Sequence, residues 1–242
     1  MAYPLRGLRH LVAHPATWPL VVLPTLLTWA AFAVAVVVAW WLVPVWMAWV
    51  WSPSPQAAPV VLLLYAFVVN LLRALAILTV GGAAYLLAGL VAVPFNDRLS
   101  AQVEEVVGGA EALPFRWADV PMSVAHSLLS LGLWVGVVLA AWALEVVPVV
   151  GSVAHVVLSV SATGLLLGRE LMDGAMSRRR WSFGAKLGFV GRYRGPVLGF
   201  GLVAAALLAV PLFNALALPC LVAGGTLLFV DLEGVGAGDA EI

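Results

Sequence analysis

The feature that most constrains this chain is a run of 63 residues, 10–72, that contains no Asp, Glu, Lys or Arg. One helical membrane crossing takes about 20 apolar residues, so the run holds one crossing and much of a second. Over the whole chain 64% of residues are hydrophobic and 10% are charged. A soluble globule needs polar residues to cover its surface. The pattern therefore excludes a soluble enzyme or a secreted domain and predicts an all-α integral membrane protein.

Two long helices are predicted on either side of a proline turn. The first runs from about Pro19 to Trp51 and the second from about Gln56 to Val93, and Ser52-Pro53-Ser54-Pro55 joins them. The second helix would be about 55 Å long, against a hydrocarbon core of about 30 Å. We therefore expect it to tilt strongly, to bend, or to project from the bilayer.

Shorter helices are expected after the second long helix. Residues 97–107 have the pattern of a short amphipathic helix. Residues 120–145 form a third apolar helix, and a fourth, 152–168, has a length at the lower limit for a full span. This pair of helices could cross the bilayer or enter it only partly.

Prolines and Asn214 interrupt the apolar residues 196–230, which favours a re-entrant hairpin with its tip near Asn214. The chain as a whole is predicted to form one membrane domain, 1–242, with two long transmembrane helices, helical hairpins and interfacial amphipathic helices. Its segments are an N-terminal cytoplasmic or interfacial helix (1–18), two long helices (19–94), a cytoplasmic connector (95–119), a helical hairpin (120–168), a basic interfacial segment (169–195), a broken hairpin (196–230) and an acidic tail (231–242).

Basic residues are placed unevenly along the chain, and their placement predicts its orientation. Arg6 and Arg9, the 95–119 connector and the 169–194 segment carry Lys and Arg, whereas the turn at 52–55 carries neither. Cytoplasmic loops of membrane proteins carry an excess of Lys and Arg. We therefore expect a multi-pass protein of the inner (plasma) membrane with its N-terminus, both long connectors and its C-terminus in the cytoplasm.

Arg73 is the sharpest candidate for a functional residue, because it lies well inside an apolar helix. A charge at the centre of a membrane helix costs about 2.5–3.5 kcal/mol on insertion scales, and such charges commonly mark ion pathways. The functional interpretation is an ion contact on a pathway. The alternative is that Arg73 reaches an interface, or pairs with Glu145 or with a backbone carbonyl.

Three further residues are candidates for the same pathway. Asn96 and Glu104 follow the second helix, where Asn96 or Asp97 could instead cap the helix that comes next. Glu145 ends the third helix beside a turn, where a solvated interfacial carboxylate is the alternative.

A basic segment follows the fourth helix. Seven of the chain's 12 basic residues fall between Arg169 and Arg194, interleaved with aromatic side chains. This pattern is typical of an interfacial helix that faces anionic headgroups. We expect Arg178, Arg179 and Arg180 to face lipid or to gather anions. Pairs of glycines spaced by four residues are expected to allow close helix packing, within or between protomers: Gly132/Gly136, Gly164/Gly168 and Gly195/Gly199.

Several functions have no support in the sequence. The net charge is zero, from 12 basic and 12 acidic residues, which argues against nucleic acid as a partner. His10 and His14 stand one helical turn apart, but two ligands do not make a metal site, and Cys220 is the single cysteine. The sequence holds neither a nucleophile–base motif nor an ATP-binding loop. We expect no catalytic residues and no cofactor, and any transport would be passive or ion-coupled.

Four short stretches occur in a distinctive order along nearly the whole chain. They are Gly7-Leu8-Arg9 with His14-Pro15 and Leu23-Pro24; Pro94-Phe95-Asn96-Asp97 with Leu99-Ser100-Ala101-Gln102-Val103-Glu104; Trp181-Ser182-Phe183 with Leu198-Gly199-Phe200-Gly201; and Val210-Pro211-Leu212-Phe213-Asn214 with Pro219 and Ala223-Gly224-Gly225-Thr226. In their order and spacing these stretches resemble the CysZ-type sulfate permeases and the wider etoposide-induced membrane-protein family.

The resemblance implies an all-helical inner-membrane protein with two long membrane helices and two hairpins that enter the bilayer partway, here 120–168 and 196–230. It also implies a homo-oligomer in the lipid bilayer that moves sulfate, or a similar small anion, into the cytoplasm. In the sulfate permeases, adjacent arginines near the start of the first long helix hold sulfate, and this chain has Ala16-Thr17-Trp18-Pro19 there. The alternative function is therefore a non-transport structural or stress-related membrane protein that shares the fold.

Overall fold

The computed structural model describes residues 2–107, 120–146, 150–210 and 213–239. Within these ranges the regular structure is helical throughout, with no strand, which confirms the prediction of an all-α protein. Short 3-10 turns stand at Pro15–Thr17 and Leu144–Val146. The α-helices of these ranges are α1 (Tyr3–Ala13), α2 (Trp18–Val50), α3 (Pro59–Val107), α4 (Val120–Ala143), α5 (Val150–Arg178), α6 (Phe183–Arg192), α7 (Arg194–Leu208) and α8 (Phe213–Asp239).

Among the described residues, five helical stretches are long and apolar enough to cross a membrane. Helix α7 is apolar but shorter. Many large apolar side chains on these helices are exposed, and lipid is a solvent that suits them. Helices also suit lipid because they satisfy their backbone polar groups internally. The five stretches are Pro15–Val50, Pro59–Ala84, Ala125–Val146, Val150–Arg178 and Asn214–Gly234.

Helix α3 corrects the predicted end of the second long helix. The sequence suggested one helix that ends at Val93 and a second over 97–107, whereas α3 runs unbroken through Pro94 as a single helix of 49 residues. A proline removes only one backbone hydrogen bond, and the turns on both sides can hold the helix together. Of the predicted 95–119 connector, residues up to Val107 belong to α3, and 108–119 lie outside the described residues.

Helix α5 corrects the prediction of a short fourth helix. It has 29 residues rather than 17 and continues from Gly168 through Arg178, so the basic segment is divided among the end of α5, α6 and the start of α7. The charged residues that were expected to leave the helix are buried in ion pairs instead. Arg180, with a φ of 55°, ends this stretch, and Ser182 caps α6 by accepting a hydrogen bond from the Ala185 N–H at 3.2 Å.

Helices α7 and α8 form the C-terminal helix pair. Helix α7 ends at Leu208 and α8 begins at Phe213, and the interruption predicted at Pro211 lies outside the described residues. Asn214 lies inside α8, and α8 also passes through Pro219 without a break. Residues from Asp231 were expected to be a loose tail, whereas α8 continues to Asp239.

The described chain divides into two compact units. The hairpin unit comprises Val22–Val93, and the main unit comprises the N-terminal residues through Val21 together with the residues from Pro94 onward. In the hairpin unit, α2 and α3 run antiparallel. The ring of Trp51 lies 5.6 Å from that of Tyr65, and further along the two helices Phe32 lies against Gly81.

The main unit packs its helices at backbone contact. A Cβ atom added to Gly201 of α7 would meet the Gly164 carbonyl oxygen of α5 at 1.7 Å, and one added to Gly168 would meet the Val197 carbonyl oxygen at 2.7 Å. Only glycine allows so close an approach. The prediction for Gly164 and Gly168 is confirmed. No atom stands within 4 Å of such a Cβ at the other predicted positions, all of them in described helices: Gly132, Gly136, Gly195 and Gly199.

Candidate functional site

Two clusters of charged side chains lie in the main unit. The Glu104 cluster joins α3, α5 and α8. It consists of Asp97, Ser100 and Glu104 on α3, Arg178 and Arg179 around the end of α5, and Glu233 on α8.

Glu104 is the centre of its cluster, with a side chain that is 1% exposed. Its Oε2 accepts a hydrogen bond from Arg178 Nη2 at 2.7 Å, and its Oε1 lies 2.5 Å from Arg179 Nη1. One buried carboxylate thus holds two guanidinium groups. Charge-assisted hydrogen bonds of this kind are about twice as strong as those between neutral groups.

The two arginines have further partners within the protein. Arg178 Nη1 donates to Asp97 Oδ1 at 3.1 Å and Nη2 donates to Ser100 Oγ at 2.8 Å. Arg179 makes a two-pronged contact with Glu233, at 2.7 and 2.6 Å. Three carboxylates therefore surround two guanidinium groups, which leaves no excess of positive charge to draw an anion into this cluster.

This geometry corrects the expectation for the arginine triplet. The side chains of Arg178 and Arg179 are 8% and 14% exposed and contact carboxylates rather than lipid or solvent. Their partners lie up to 81 residues away in sequence, so a local pattern of basic residues could not reveal them. Arg180 is exposed, as expected of all three.

The Asp173 cluster is a second network, formed by α4, α5 and α6. Arg169 Nη1 lies 2.9 Å from Asp173 Oδ1, and Lys186 Nζ lies 2.7 Å from the same oxygen. Both cationic side chains are fully buried. Arg169 also lies 2.5 Å from Glu170, so two cations face two carboxylates and the cluster is balanced in formal charge.

Polar side chains complete the Asp173 cluster. Lys186 Nζ contacts Ser177 Oγ at 2.8 Å and His126 Nδ1 at 3.2 Å, while Arg169 donates to the hydroxyl of Ser130. Buried charges persist when they are paired and hydrogen-bonded in this way. The network links α4 and α6 to the C-terminal part of α5, which carries Asp173, and so fixes three helices against each other.

Sequence reasoning did not identify the Asp173 cluster as a site. The signal in the sequence is local: Asp173 follows Arg169 by four residues, which places this acid and base on one helical face. Lys186 belongs to another helix, so its role depends on the tertiary packing of α6.

Arg73 lies in the hairpin unit and has neutral contacts there. Its guanidinium carbon is 4.3 Å from the ring centroid of Trp40. Its Nη1 donates to Asn70 Oδ1 at 3.2 Å, and its Nη2 donates to the Trp40 carbonyl oxygen at 3.4 Å. Of the predicted alternatives, contact with a backbone carbonyl is present.

The other two predicted pathway residues lie in the main unit. Glu145 is 51% exposed and lies 2.9 Å from His155 Nδ1, so its partner among the described residues is a histidine of α5. Asn96 is half-buried on α3, one helical turn before Ser100. The structure thus brings Glu104 together with Arg178 and Arg179, while Glu145 has a separate partner.

Helix α1 is held against α8 by a polar contact near the chain ends. Arg6 Nη1 donates to Asp231 Oδ2 at 2.6 Å, and the Tyr3 hydroxyl donates to the same oxygen at 3.0 Å. The hydrogen bond to Asp231 raises the pKa of Arg6 above its ordinary value. Burial, and then the hydrogen bond to Asp231, raise the pKa of Tyr3.

His10 and His14 stack on one another with ring centroids 4.2 Å apart. His14 Nδ1 contacts the His10 carbonyl oxygen at 2.8 Å. Among the residues that the structure describes, no group of three His, Cys, Asp or Glu side chains could hold a metal ion.

Comparison with known proteins gives a family and several relatives. Residues 3–219 match the family described as sulfate transporter CysZ/etoposide-induced protein 2.4. A protein named sulfate transporter CysZ from Pseudomonas fluorescens is 32% identical over 160 residues, or 62% of each chain. Proteins of the same name from a second strain of that species and from Pseudomonas syringae are each 30% identical, over 63% and 62% of this chain and 61% of their own lengths. The chain therefore spans about 62% of the length of the first of these curated relatives.

Proposed function

Because this chain belongs to the sulfate transporter CysZ/etoposide-induced protein 2.4 family, we propose that it is a membrane permease for sulfate or a similar small inorganic anion. The family match over residues 3–219 is the observation that carries the proposal. The relatives named sulfate transporter CysZ and the five candidate membrane spans support it.

Arg73 is the proposed contact for the anion on its way through the membrane. It is the only charged residue between Val22 and Val93, so the hairpin unit supplies no carboxylate to neutralise it. It is the fifteenth of the 26 residues in the candidate span Pro59–Ala84, about 21 Å along the helix from Pro59 and hence near the middle of the bilayer. A positive charge there, held only by neutral groups, attracts an anion strongly because it is weakly screened.

Asn96, Glu104 and Glu145 stay predictions as pathway residues. In this proposal Glu104 acts indirectly, because it fixes Arg178 and Arg179 at the end of α5. Glu145 and its partner His155 join the end of α4 to α5, and Asn96 lies beside the Glu104 cluster on α3.

The proposed setting is the inner membrane, with both termini in the cytoplasm. The Arg6–Asp231 contact supports placing the N-terminus and the end of α8 on one side, and the distribution of basic residues supports the cytoplasmic side. We propose that the hairpins 120–168 and 196–230 enter the bilayer partway, and that the chain forms a homo-oligomer. The open faces at Gly132 and Gly136 on α4 are suited to contacts between protomers.

A non-transport structural role is the second candidate. Two observations favour it: the chain has Ala16-Thr17-Trp18-Pro19 where the sulfate permeases carry arginines, and its buried arginines at 178 and 179 are neutralised by carboxylates. A dianion needs compensating charge when it leaves water. Under this alternative the charged clusters serve only to hold the helices together.

Sulfate uptake into proteoliposomes separates the two functions. The comparison uses the parent, Arg73→Gln and the control Arg98→Gln, which removes an exposed arginine from the same helix. We expect the parent to take up labelled sulfate and Arg73→Gln to lose on the order of tenfold in rate, the effect of one charge-assisted contact. Arg98→Gln should keep the parental rate.

Each other outcome has a defined meaning. A correctly folded parent that passes neither sulfate nor another small anion would overturn the transport function in favour of the structural one. Equal rates for the parent and Arg73→Gln would show that the pathway avoids Arg73 while transport stands. Equal amounts of folded protein in the liposomes are needed for both comparisons.

A further inference from the structure

Pro44 interrupts the hydrogen bonds of α2 without ending the helix, which runs through it from Trp18 to Val50. In a regular α-helix the N–H of residue 44 would donate to the carbonyl oxygen of Trp40, and proline has no N–H. An unpaired backbone carbonyl is costly in lipid, so a neighbouring helix or side chain usually supplies the missing donor.

Arg73 supplies a donor to this carbonyl from α3. Its Nη2 donates to the Trp40 carbonyl oxygen at 3.4 Å, from 33 residues further along the chain. Its guanidinium carbon also lies 4.3 Å from the centroid of the Trp40 ring. Pro44, Trp40 and Arg73 all belong to the hairpin unit. The carbonyl that Pro44 leaves without a helical donor is therefore the one that contacts the single charged residue of this unit.

Asn70 holds the other arm of the guanidinium. Its Nδ2 donates to the Ala66 carbonyl oxygen at 2.8 Å, one turn earlier in α3. This contact leaves the amide oxygen for Arg73, whose Nη1 donates to Asn70 Oδ1 at 3.2 Å. The two arms of the guanidinium are thus held by acceptors on two different helices, α2 and α3.

The guanidinium keeps donors for a further partner. It has five N–H groups, and the hydrogen bonds to Trp40 and Asn70 use one on each terminal nitrogen. Arg73 Nε is buried and makes no hydrogen bond with a described residue. An oxyanion can accept hydrogen bonds from two neighbouring N–H groups of one guanidinium, and this geometry depends on the plane in which the group lies. The contacts with Trp40 and Asn70 fix that plane.

We propose that Pro44 and Asn70 are positioning residues for Arg73. Pro44 frees the Trp40 carbonyl that holds Nη2, and Asn70 holds Nη1, so that the remaining N–H groups are presented to an oxyanion in one fixed plane. This inference rests on the proposed role of Arg73 as the anion contact. It goes beyond that role because both residues are uncharged and act through Arg73.

A double-mutant cycle tests whether Pro44 and Arg73 are linked, with the equilibrium constant of unfolding measured by chemical denaturation in detergent. Pro44→Ala restores an N–H to α2 and puts a good helix former in place of proline, so this variant should fold. In the Arg73→Met background the substitution satisfies a carbonyl that has lost its donor, whereas in the parent Arg73 already satisfies it. We therefore expect Pro44→Ala to lower the unfolding constant about fivefold more in the Arg73→Met background.

Pro24→Ala is the matched control for the cycle. Pro24 is also a proline inside α2, and it lies about 30 Å along the helix from Pro44. Its replacement should change the unfolding constant by the same factor in both backgrounds, because the contacts of Arg73 are made near the other end of α2.

Sulfate uptake into proteoliposomes tests the effect on the anion. Pro44→Ala and Asn70→Ala keep the charge of Arg73 and loosen its orientation. The sulfate concentration for half-maximal uptake should therefore rise about fivefold, the effect of one hydrogen bond, while the maximal rate stays within about twofold of the parental rate. Thr79→Ala is the matched control for Asn70→Ala, because Thr79 also donates to a carbonyl one turn earlier in α3, that of Leu75 at 2.8 Å. It should leave both quantities unchanged.

Three results would overturn the inference while the proposed function stands. Equal effects of Pro44→Ala in the two backgrounds would show that Pro44 does not hold Arg73. An unchanged half-maximal concentration in both Pro44→Ala and Asn70→Ala would make their contacts purely structural. Equal rises in Asn70→Ala and Thr79→Ala would assign the effect to α3 rather than to Arg73. A parent that passes no anion but shows the coupling in stability would instead overturn the proposed function, and with it the part of the anion in this inference.

Discussion

The hairpin unit and the main unit differ in whether their buried or half-buried charged side chains are paired with opposite charges. The chain has 12 basic and 12 acidic residues, and a single one of these 24, Arg73, lies within Val22–Val93. It is held by an aromatic ring, an amide and a carbonyl. In the main unit, by contrast, Glu104 and Asp173 each hold two cations. The main unit therefore uses its charges for internal cohesion, whereas the hairpin unit leaves one charge uncompensated.

The two units also pack differently. Helices α5 and α7 meet at backbone contact through Gly164 and Gly201, whereas a Cβ added to Gly81 in the hairpin unit would first meet the side chain of Phe32, at 3.1 Å. Side chains can shift, and backbone in a packed helix cannot. A tightly packed unit with paired charges is suited to stability, and a hairpin with large side chains and one isolated charge is suited to lipid contact and to ion binding.

The largest effect should come from the centre of the Glu104 cluster. Glu104→Ala leaves Arg178 and Arg179 buried without the carboxylate that holds both, and breaking a buried ion pair costs about 3–5 kcal/mol. We expect a large fall in the free energy of unfolding, measured by chemical denaturation in detergent. Glu105→Ala removes an exposed carboxylate one residue away from Glu104. It should change the free energy of unfolding by less than about 0.5 kcal/mol. Equal stability of the two variants would show that the cluster does not hold the main unit together.

Part of this fold could be predicted from the sequence, because apolar runs fix membrane helices directly. Helix α2, Trp18–Val50, begins and ends within one residue of the prediction, and the proline turn after it is present. Besides the tail from Asp231, which continues α8, the errors in the helix ends fall at Pro94 and Gly168, where local signals favoured an end. Contacts with distant parts of the chain, which a local pattern does not show, lie close to both places: Asp97 accepts a hydrogen bond from Arg178, and Gly168 packs against Val197.

The candidate site was less predictable for the same reason. Glu104 could be named as a polar residue after an apolar helix, but its partner Arg178 lies 74 residues away. The pairing of Lys186 with Asp173 depends on how α6 packs against α5. Arg73 stood out without tertiary information, because an isolated charge in an apolar run is visible in the sequence itself.

A second pair of variants tests the difference in packing. Gly201→Ala brings a methyl group against the Gly164 carbonyl oxygen, where a Cβ would stand at 1.7 Å, and overpacking of this kind costs about 1–3 kcal/mol. Gly81→Ala meets only the flexible ring of Phe32. We expect Gly201→Ala to lower the thermal unfolding temperature clearly and Gly81→Ala to change it little. A larger loss for Gly81→Ala would reverse the comparison of the two units.

Replacing Arg73 is expected to have a smaller effect on the free energy of unfolding, and to raise it rather than lower it. A contact between a desolvated cation and an aromatic ring contributes about 2 kcal/mol, whereas an arginine at the centre of a membrane helix costs about 2.5–3.5 kcal/mol. Arg73→Met should therefore raise the free energy of unfolding by about 1 kcal/mol, even though it removes the proposed anion contact. Arg179→Met, which breaks two ion pairs, should lower it. A destabilised Arg73→Met would show that this charge is structural.

The smallest expected effect is on the stability of the protein at acid pH, and it comes from His10. This residue belongs to the main unit and has no ionic partner among the described residues. Its Nε2 is buried and makes no hydrogen bond there. Burial, and to a lesser degree the charge of His14, lowers the pKa of His10 below its usual 6.5. The folded protein thus takes up this proton less readily than the unfolded chain. The stability due to neutral His10 is complete above pH 6.5 and is lost as the pH falls through the lower folded-state pKa.

His10→Gln removes this titration and should flatten the acid side of the stability curve, measured as the thermal unfolding temperature in detergent at a series of pH values from about 7.5 downward. His14→Gln is the matched control, because it removes the lesser cause of the pKa shift and keeps the burial of His10. The stability of His14→Gln should still fall in acid, by most of the amount seen for the parent. Every other titratable group remains in each variant, so the difference between the curves reports on the substituted histidine alone. Superimposable curves for the parent and His10→Gln would show that His10 does not set the acid sensitivity of the main unit.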